Sequence, residues 1–317
     1  FKVGDKQYAA MKLTLMLLVG SAFILVCLLA LYFSSGSGTF DMAVLAKAHY
    51  PKSLQIWAFV MFWLGFGSLA GVFPFHTWSP DGHASAPTAV SMLHAGVLMK
   101  LGAFGVMRIG MMMLPDGAQF WAPIVGGVAV INVVYGAMSA LSQKDLKYII
   151  AYSSVSHMGV VMLGAATLTQ SGWNGAVYQM FAHGVMTGLF FALVGHIYER
   201  AHSREVAKMG GFATVMPGVA AFFTLAGLSS LGLPGTAGFV AEFLVFAGGW
   251  QSPRPWWSVC GVVGAFVTAV YVLRVSRAVF FGDGPSDHFH DLRDVRKVEW
   301  APLWILGAVW LVVLRTR

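Results

Sequence analysis

Four ionisable side chains lie far inside long apolar stretches of this 317-residue sequence, and together they predict a proton relay. They are Lys100 in SMLHAGVLMKLGAFG, His157 in AYSSVSHMGVV, His183 in QMFAHGVMTG and Glu242 in LPGTAGFVAEFLVF. Ionisable groups at bilayer depth are costly and usually serve a function. Histidine exchanges protons near neutral pH, and buried lysine and carboxyl groups can do the same. The alternative for each residue is a structural hydrogen bond or ion pair.

Two further residues, His76 and Lys147, are secondary candidates for the same relay. His76 begins the segment HTWSPDGHASAPT. Asp81 and His83 in that segment form either a proton entrance or a cap for the next helix, which is expected to start at Pro87 because proline suits a first helical turn. Lys147 lies at a helix end, where it either anchors the topology at the membrane surface or reaches inward.

His94 precedes Lys100 by six residues. A regular helix rotates about 600° over that distance, so the two residues are expected on different faces. The role of His94 stays open between a relay and a structural hydrogen bond. The relay histidines lack further ligands at metal-binding spacing, and Cys27 and Cys260 lie singly in apolar runs. Without a dinucleotide fingerprint, P-loop or cysteine cluster, we expect neither metal nor redox cofactor in this chain.

The composition predicts a helical protein that crosses a membrane several times. Hydrophobic residues make up 57% of the chain and charged residues 10%, and the mean hydropathy is +0.71. A soluble fold needs more charge, and a disordered chain needs far lower hydrophobicity. Apolar stretches of about 20 residues without period-two alternation argue against a transmembrane barrel. The net charge of +7 indicates basic loops beside a membrane rather than a nucleic-acid partner.

Hydropathy places nine spans along the chain, and they define an all-α, polytopic membrane helix bundle. The spans lie near 9–33, 54–74, 87–113, 120–141, 147–168, 174–198, 213–249, 256–281 and 300–314. The seventh is too long for one straight crossing at about 1.5 Å per residue, and it contains LPGT at 233–236. Proline and glycine disrupt helices, so we expect two half-helices there. The second span ends in a similar break at 71–76. The backbone N–H and C=O groups freed there must bond to other parts of the protein or to water.

Basic residues lie unevenly at the two ends of these spans. One side holds Lys2, Lys6, Lys144, Lys147, Arg200, Arg204, Lys208, Arg293, Arg296 and Lys297. The other side holds Lys47, Lys52, Arg254, Arg315 and Arg317. The positive-inside rule makes the first side cytoplasmic, which predicts a multi-pass protein of the cell inner membrane. The opening FKVGDKQYAAMK is typical of a helix already in progress, and it predicts a fragment of a longer protein.

The motifs together resemble one known family. FPFHTWSPDGHASAPTAVSMLHAGVLMKLGAFGVMR is similar to the signature of the antiporter-like proton-channel subunits of respiratory complex I. QKDLKYIIAYSSVSHMGVV, YQMFAHGVMTGLFFALVGHIYER and GLPGTAGFVAEF continue the likeness in the same order over nearly the whole chain. The M type of bacterial NADH–quinone oxidoreductase, subunit 4 of the mitochondrial enzyme, is the most similar. Glu242 favours that type, since the L and N types carry lysine at the matching position.

The resemblance implies an antiporter-like fold with two inverted repeats, each containing a broken helix. The first span here corresponds to the family's sixth helix, so the first five helices, and a glutamate on the fifth, are expected to be missing from this chain. Residues 1–317 then form a single membrane domain. Within it, 1–113 is the remainder of the first repeat, 120–281 is the second repeat and 300–314 is the C-terminal helix.

One position departs from the family pattern. The family carries a lysine five residues before the proline of the PFH motif, and Leu69 occupies that position here. Leucine binds no proton, so either the first half-channel is silent or His94 or His76 substitutes. The elements of the second half match the family: Lys100 as the connecting lysine, His157 and His183 as the central histidines, and Glu242 as the exit acid.

The resemblance implies a proton-translocating subunit of complex I that couples quinone reduction to pumping through charge changes along buried groups. Flavin mononucleotide (FMN), iron–sulfur clusters and quinone are expected in partner subunits. The expected partners are L-like and N-like membrane subunits and the lipid bilayer, with no nucleic acid. Two alternatives stay open. In the first, the chain is a subunit of a multi-subunit cation/proton antiporter or of a membrane-bound hydrogenase. In the second, it is a scaffold that conducts no protons.

Overall fold

The protein is a bundle of long helices. A computed structural model describes residues 3–282, 289 and 292–312, and these residues contain no β-strand. The principal helices are α1 (Val3–Ser35), α2 (Lys52–Ala70), α3 (Trp78–Ser85), α4 (Thr88–Met111), α5 (Pro115–Ser142), α6 (Leu146–Ala166), α7 (Gln170–Ala201), α8 (Pro217–Ser230), α9 (Ala237–Gln251), α10 (Trp256–Phe280) and α11 (Lys297–Val312). Shorter helical turns occupy Met42–Leu45, Phe75–Thr77, Val206–Lys208 and Phe212–Val215. The prediction of an all-α fold is confirmed.

Seven stretches of the described chain are long and apolar enough to cross a membrane. They are Lys6–Ser35, Lys52–Ser85, Thr88–Met111, Pro115–Ser142, Leu146–Ala166, Gln170–Ala201 and Trp256–Phe280. They correspond to the first six predicted spans and to the eighth. The seventh predicted span consists of α8 and α9, each too short to cross alone. The ninth corresponds to α11, and its last two predicted residues lie outside the described ones.

The predicted break in the seventh span is present between α8 and α9. Residues 231–236 separate the two half-helices. The hydroxyl of Thr236 caps α9 by accepting a hydrogen bond from the Phe239 N–H at 3.3 Å. Gly232 has a φ of 69°, a conformation that residues with a Cβ rarely adopt. The LPGT sequence therefore ends one half-helix and starts the next within the span.

The first break lies inside the second span rather than at its end. Gly71 follows α2 in the left-handed conformation, with a φ of 74°. Helical structure then resumes at Phe75–Thr77 and continues through α3. The prediction that this span ends at residue 74 is wrong, because proline and glycine interrupt the helix here without ending the crossing.

Asn132 on α5 binds the backbone freed by this break. Its Oδ1 accepts a hydrogen bond from the Phe73 N–H at 2.7 Å, and its Nδ2 donates to the Val155 carbonyl at 2.8 Å. Asn132 is fully buried. One amide side chain of α5 therefore links the broken helix to α6. It supplies the hydrogen-bond partner that a non-helical backbone group needs at membrane depth.

Two stretches of π-helix interrupt α4, at His94–Leu98 and Val106–Met111. A π-helical turn closes its hydrogen bonds one residue later than an α-helical turn, so it changes the direction of the side chains that follow. The first stretch lies between His94 and Lys100. It therefore helps to set the directions in which these two side chains leave the helix.

The centre of the bundle is α6. Nearly every side chain of α6 is buried, and α3, α5 and α7 pack around it. The helices α8 and α9 pack against α7, so the second break lies beside the centre of the bundle. By contrast, α1 is exposed over most of its length and contacts mainly α2 and α3. Groups on α6 and α7 are therefore the most enclosed in the described chain.

Candidate functional site: a buried series of ionisable groups

Lys100 contacts His183 where α4 meets α7. The ammonium nitrogen Nζ of Lys100 lies 2.6 Å from Nδ1 of His183, and it also donates to the carbonyl of Ala95. The two helices come together at glycines: a Cβ added to Gly184 would lie 2.8 Å from the carbonyl oxygen of Gly96. Small residues at the crossing therefore bring a lysine within hydrogen-bond distance of a histidine.

His157 on α6 continues the series. Its ring centroid lies 5.1 Å from that of His183. Its Nε2 lies 3.1 Å from the hydroxyl oxygen of Ser230, and its Nδ1 lies 3.1 Å from Nε2 of Gln179. Hydrogen bonds at both ring nitrogens fix the orientation of the imidazole between His183 and the end of α8.

Glu242 on α9 completes the series. Its Oε1 lies 3.6 Å from Nδ1 of His157, and only 6% of the residue is exposed. Gly232, in the break, leaves room for this carboxyl group, since a Cβ there would lie 2.8 Å from Oε2 of Glu242. The break therefore lets the backbone approach the carboxyl group closely.

Several polar atoms beside this series have no hydrogen-bond partner among the described residues. They include Nε2 of His183, Oε1 of Gln179 and the hydroxyls of Thr187 and Ser229. Buried polar atoms in proteins are normally bonded to protein or to ordered water. These atoms therefore mark positions suited to water molecules, which bridge gaps longer than a direct hydrogen bond. The described residues contain no group of three or more His, Cys, Asp or Glu that could hold a metal ion.

The two secondary candidates, His76 and Lys147, have no hydrogen bond to this series in the described part of the chain. His76 is buried in the first break, with its ring centroid 5.7 Å from that of Phe73 and 5.1 Å from that of Tyr135. Lys147 is buried at the start of α6, and its Nζ donates to the carbonyl of Ala86 at 2.7 Å. Their participation in the relay stays a prediction.

An ion pair between α1 and α3 is a feature that the sequence did not predict. Nζ of Lys12 lies 2.8 Å from Oδ2 of Asp81, and the hydroxyl of Tyr148 donates to Oδ1 at 3.2 Å. A lysine inside the first apolar span was the available signal. The alternative that Asp81 or His83 caps α4 is wrong, because Pro87 is the N-cap residue and no side chain in the described part of the protein caps this helix.

Charged side chains also tie together the ends of α3 and α6. Oδ1 of Asp145 accepts a hydrogen bond from the Lys147 N–H at 2.8 Å and so caps α6. Its Oδ2 lies 3.0 Å from Nη2 of Arg204. The same guanidinium donates to the carbonyl of Ala84 at 2.8 Å. The start of α4 thus lies beside the basic loops.

A separate charged cluster joins α11 to α7. Oε2 of Glu299 lies 2.6 Å from Nη2 of Arg200, and Oε1 lies 3.1 Å from Nε of Arg296. Burial alone would raise the pKa of Glu299, but hydrogen bonds from the Arg296 backbone and the Arg200 guanidinium lower this pKa to about 2. Glu299 therefore anchors α11 as a carboxylate.

A bundle of long apolar helices with two broken helices and a buried series of ionisable groups has the architecture of a membrane transport protein. The chain belongs to the family described as "NADH:quinone oxidoreductase/Mrp antiporter, TM", which matches residues 2–268. The resemblance to antiporter-like subunits drawn from the sequence motifs is confirmed.

Curated relatives carry the name of an oxidoreductase. The "NAD(P)H-quinone oxidoreductase chain 4 2" of Thermosynechococcus vestitus is 41% identical over 294 residues, which are 91% of this chain and 55% of the relative. The "NAD(P)H-quinone oxidoreductase chain 4 1" of a Nostoc species is 40% identical over 315 residues, which are 98% of this chain and 58% of the relative. The chain therefore spans little more than half the length of these relatives.

Solved structures share the fold. A chain of the respiratory complex I from Thermus thermophilus with bound NADH superposes with a TM-score of 0.91 at 31% identity, over 96% of this chain and 64% of that chain. A chain of the Mrp complex from a Dietzia species gives a TM-score of 0.87 at 20% identity, over 96% of this chain and 64% of that chain. The antiporter-like fold class predicted from the sequence is confirmed.

Proposed function

We propose that this chain moves protons across a membrane as an antiporter-like subunit of an NAD(P)H–quinone oxidoreductase. The observation that carries the proposal is the series of neighbouring groups that runs from Lys100 through His183 and His157 to Glu242. The names of the curated relatives support the choice of complex. The geometry by itself supports a proton-conducting membrane protein, and the relatives add the assignment to an oxidoreductase complex.

In this mechanism Lys100 gives a proton to His183, because the two nitrogens are 2.6 Å apart. The proton continues to His157 through water beside Nε2 of His183, which has no hydrogen-bond partner among the described residues. His157 then protonates Glu242 across the 3.6 Å gap, and Glu242 releases the proton on the side opposite the basic loops. Each transfer changes the charge next to the following group, so the steps are coupled electrostatically.

The driving reaction belongs to partner subunits in this proposal. FMN, iron–sulfur clusters and quinone lie in those partners, and L-like and N-like membrane subunits flank this chain. The complex lies in the cell inner membrane, with the basic loops of this chain in the cytoplasm. The excess of lysine and arginine on one side of the spans supports that orientation.

The decisive variant is Glu242→Gln in the full-length protein, within the intact complex purified and reconstituted into vesicles. The amide keeps the shape of the carboxyl group and cannot ionise. Electron transfer from NAD(P)H to quinone should persist. Acidification of the vesicle interior, followed with a trapped pH dye, should fall by the fraction of proton pumping that this chain contributes.

Glu205→Gln is the matched control, because the Glu205 side chain is 56% exposed and forms a surface ion pair with nearby Lys208. It should leave the ratio of protons moved to electrons transferred unchanged. A wild-type ratio in Glu242→Gln would contradict the proposal and favour a scaffold that conducts no protons.

The shared fold with the Mrp complex supports a second candidate, a subunit of a cation/proton antiporter. The same vesicles distinguish the two candidates. If the purified complex lacks flavin and iron–sulfur absorption, and an imposed sodium gradient drives proton movement that Glu242→Gln abolishes, the antiporter assignment replaces the oxidoreductase assignment.

A further inference from the structure

A cleft between α1 and α3 leads from the basic end of the bundle to His94. Its volume is about 220 Å³, and its walls include Ala10 and Thr14 of α1 and Gly82 of α3. Lys6 of α1 and His94 of α4 also line this cleft. Because α4 begins beside the basic loops, His94 lies nearer to those loops than Lys100, which is farther along the same helix.

His94 faces a second buried histidine, His83 of α3. Their ring centroids lie 6.0 Å apart. His83 is fully buried, and neither of its ring nitrogens has a hydrogen-bond partner among the described residues. Nδ1 of His94 is also buried without a partner there. Unpartnered imidazole nitrogens in a protein interior argue against a purely structural hydrogen-bonding role and are typical of water-linked polar sites.

His83 in turn lies beside the relay. It packs against α7, the helix that also carries His183. The hydroxyl of Ser91 on α4 donates to the His83 carbonyl at 2.8 Å, which holds α3 against α4 at this level. The ring of Phe191 packs against the imidazole, with the centroids 5.7 Å apart. His83 therefore occupies an enclosed position where α3, α4 and α7 meet, between His94 and the helix that carries His183.

We propose that His94 and His83 form the uptake branch of the relay, carrying protons from the cleft between α1 and α3 to Lys100. This inference rests on the proposed proton-carrying function and extends it to the side where protons enter. It also explains how protons can reach Lys100 although Leu69 replaces the lysine that the family carries. A route through His94 reaches Lys100 without any ionisable group at position 69.

The first test is His94→Leu, measured in the same vesicles beside Glu242→Gln. The share of proton movement that Glu242→Gln removes defines the contribution of this chain. His94→Leu should remove that same share while electron transfer persists. His49→Leu is the control for loss of a histidine, because His49 is exposed on a loop and does not line the cleft. This variant should keep the wild-type proton movement.

The second test blocks the cleft without touching a titratable group. Ala10 lies on its wall and is exposed, so Ala10→Phe fills the cleft and should slow the proton movement carried by this chain. Ala22→Phe places the same ring at another exposed position of α1 and should have no effect. This pair keeps the inference testable if His94→Leu does not assemble.

The outcomes separate the inference from the proposed function. If Glu242→Gln removes proton movement while His94→Leu and Ala10→Phe retain the wild-type value, the uptake branch is wrong and the relay stands. If Glu242→Gln itself retains the wild-type value, the proposed function fails and the uptake branch fails with it. Equal losses in His94→Leu and Glu242→Gln, with a slower rate in Ala10→Phe, support both.

Discussion

The contact between Lys100 and His183 depends on two glycines, and Gly184→Ala should disturb it. The added Cβ would lie 2.8 Å from the Gly96 carbonyl oxygen, whereas ordinary contacts begin at 3.4 Å. The difference, 3.4 − 2.8 = 0.6 Å, is the separation that α4 and α7 must gain. If the 2.6 Å distance from Lys100 to His183 grows by the same amount, it reaches the outer limit of a hydrogen bond.

Gly188→Ala is the matched control, one turn farther along α7. A Cβ at Gly188 would meet no atom of the described residues within 4 Å. Both substitutions replace a helical glycine with alanine, so the gain in helix propensity is similar and cancels in the comparison. Overpacking costs about 1–3 kcal/mol, and we expect Gly184→Ala to be less stable than Gly188→Ala by about this amount.

Two assays on the purified complex measure these effects. Thermal unfolding, followed by tryptophan fluorescence, gives the difference in stability between the two variants. Vesicle acidification gives proton movement, which should fall in Gly184→Ala and stay at the wild-type level in Gly188→Ala. Equal stability and equal proton movement in both variants would refute the reasoning that the close helix crossing positions Lys100.

Three further predictions concern the breaks and the anchor of α11. Asn132→Ala leaves buried backbone groups unpaired and should lower the free energy of unfolding by about 1–3 kcal/mol in a denaturant titration. Gly232→Ala places a Cβ 2.8 Å from Oε2 of Glu242 at a φ of 69°, so vesicle acidification should fall while electron transfer persists. Because the pKa of Glu299 is lowered from 4.5 to about 2, its stabilising effect is complete above pH 4.5 and lost as the pH falls through about 2. The difference in unfolding temperature between wild type and Glu299→Gln should therefore shrink over that range, and a constant difference would contradict the ion pair with Arg200.

The sequence predicted most of the architecture because the signals for it are local. Apolar runs locate the helices, and the LPGT sequence locates the break between α8 and α9. The first break shows where local signals fail. Proline and glycine indicate an interruption, but only the packing of α3 against α6 and the hydrogen bonds of Asn132 show that the crossing continues beyond it.

The sequence located Lys100, His157, His183 and Glu242 as isolated ionisable groups, and the structure places neighbouring members of this set side by side. Their roles in proton transfer stay predictions. The sequence could not reveal that His94 faces His83, because that meeting depends on the packing of α3 against α4 and on the π-helical stretch that starts at His94. It also gave no partner for Lys12, since Asp81 lies 69 residues away along the chain.

Proton movement in Lys100→Met tests the central claim most directly. Methionine keeps the length and apolar contacts of the lysine stem and carries no exchangeable proton. Electron transfer in the reconstituted complex should persist, while the proton movement attributed to this chain should disappear. Lys52→Met, at the exposed start of α2, should leave it unchanged. Wild-type proton movement in Lys100→Met would contradict a relay that passes through this residue.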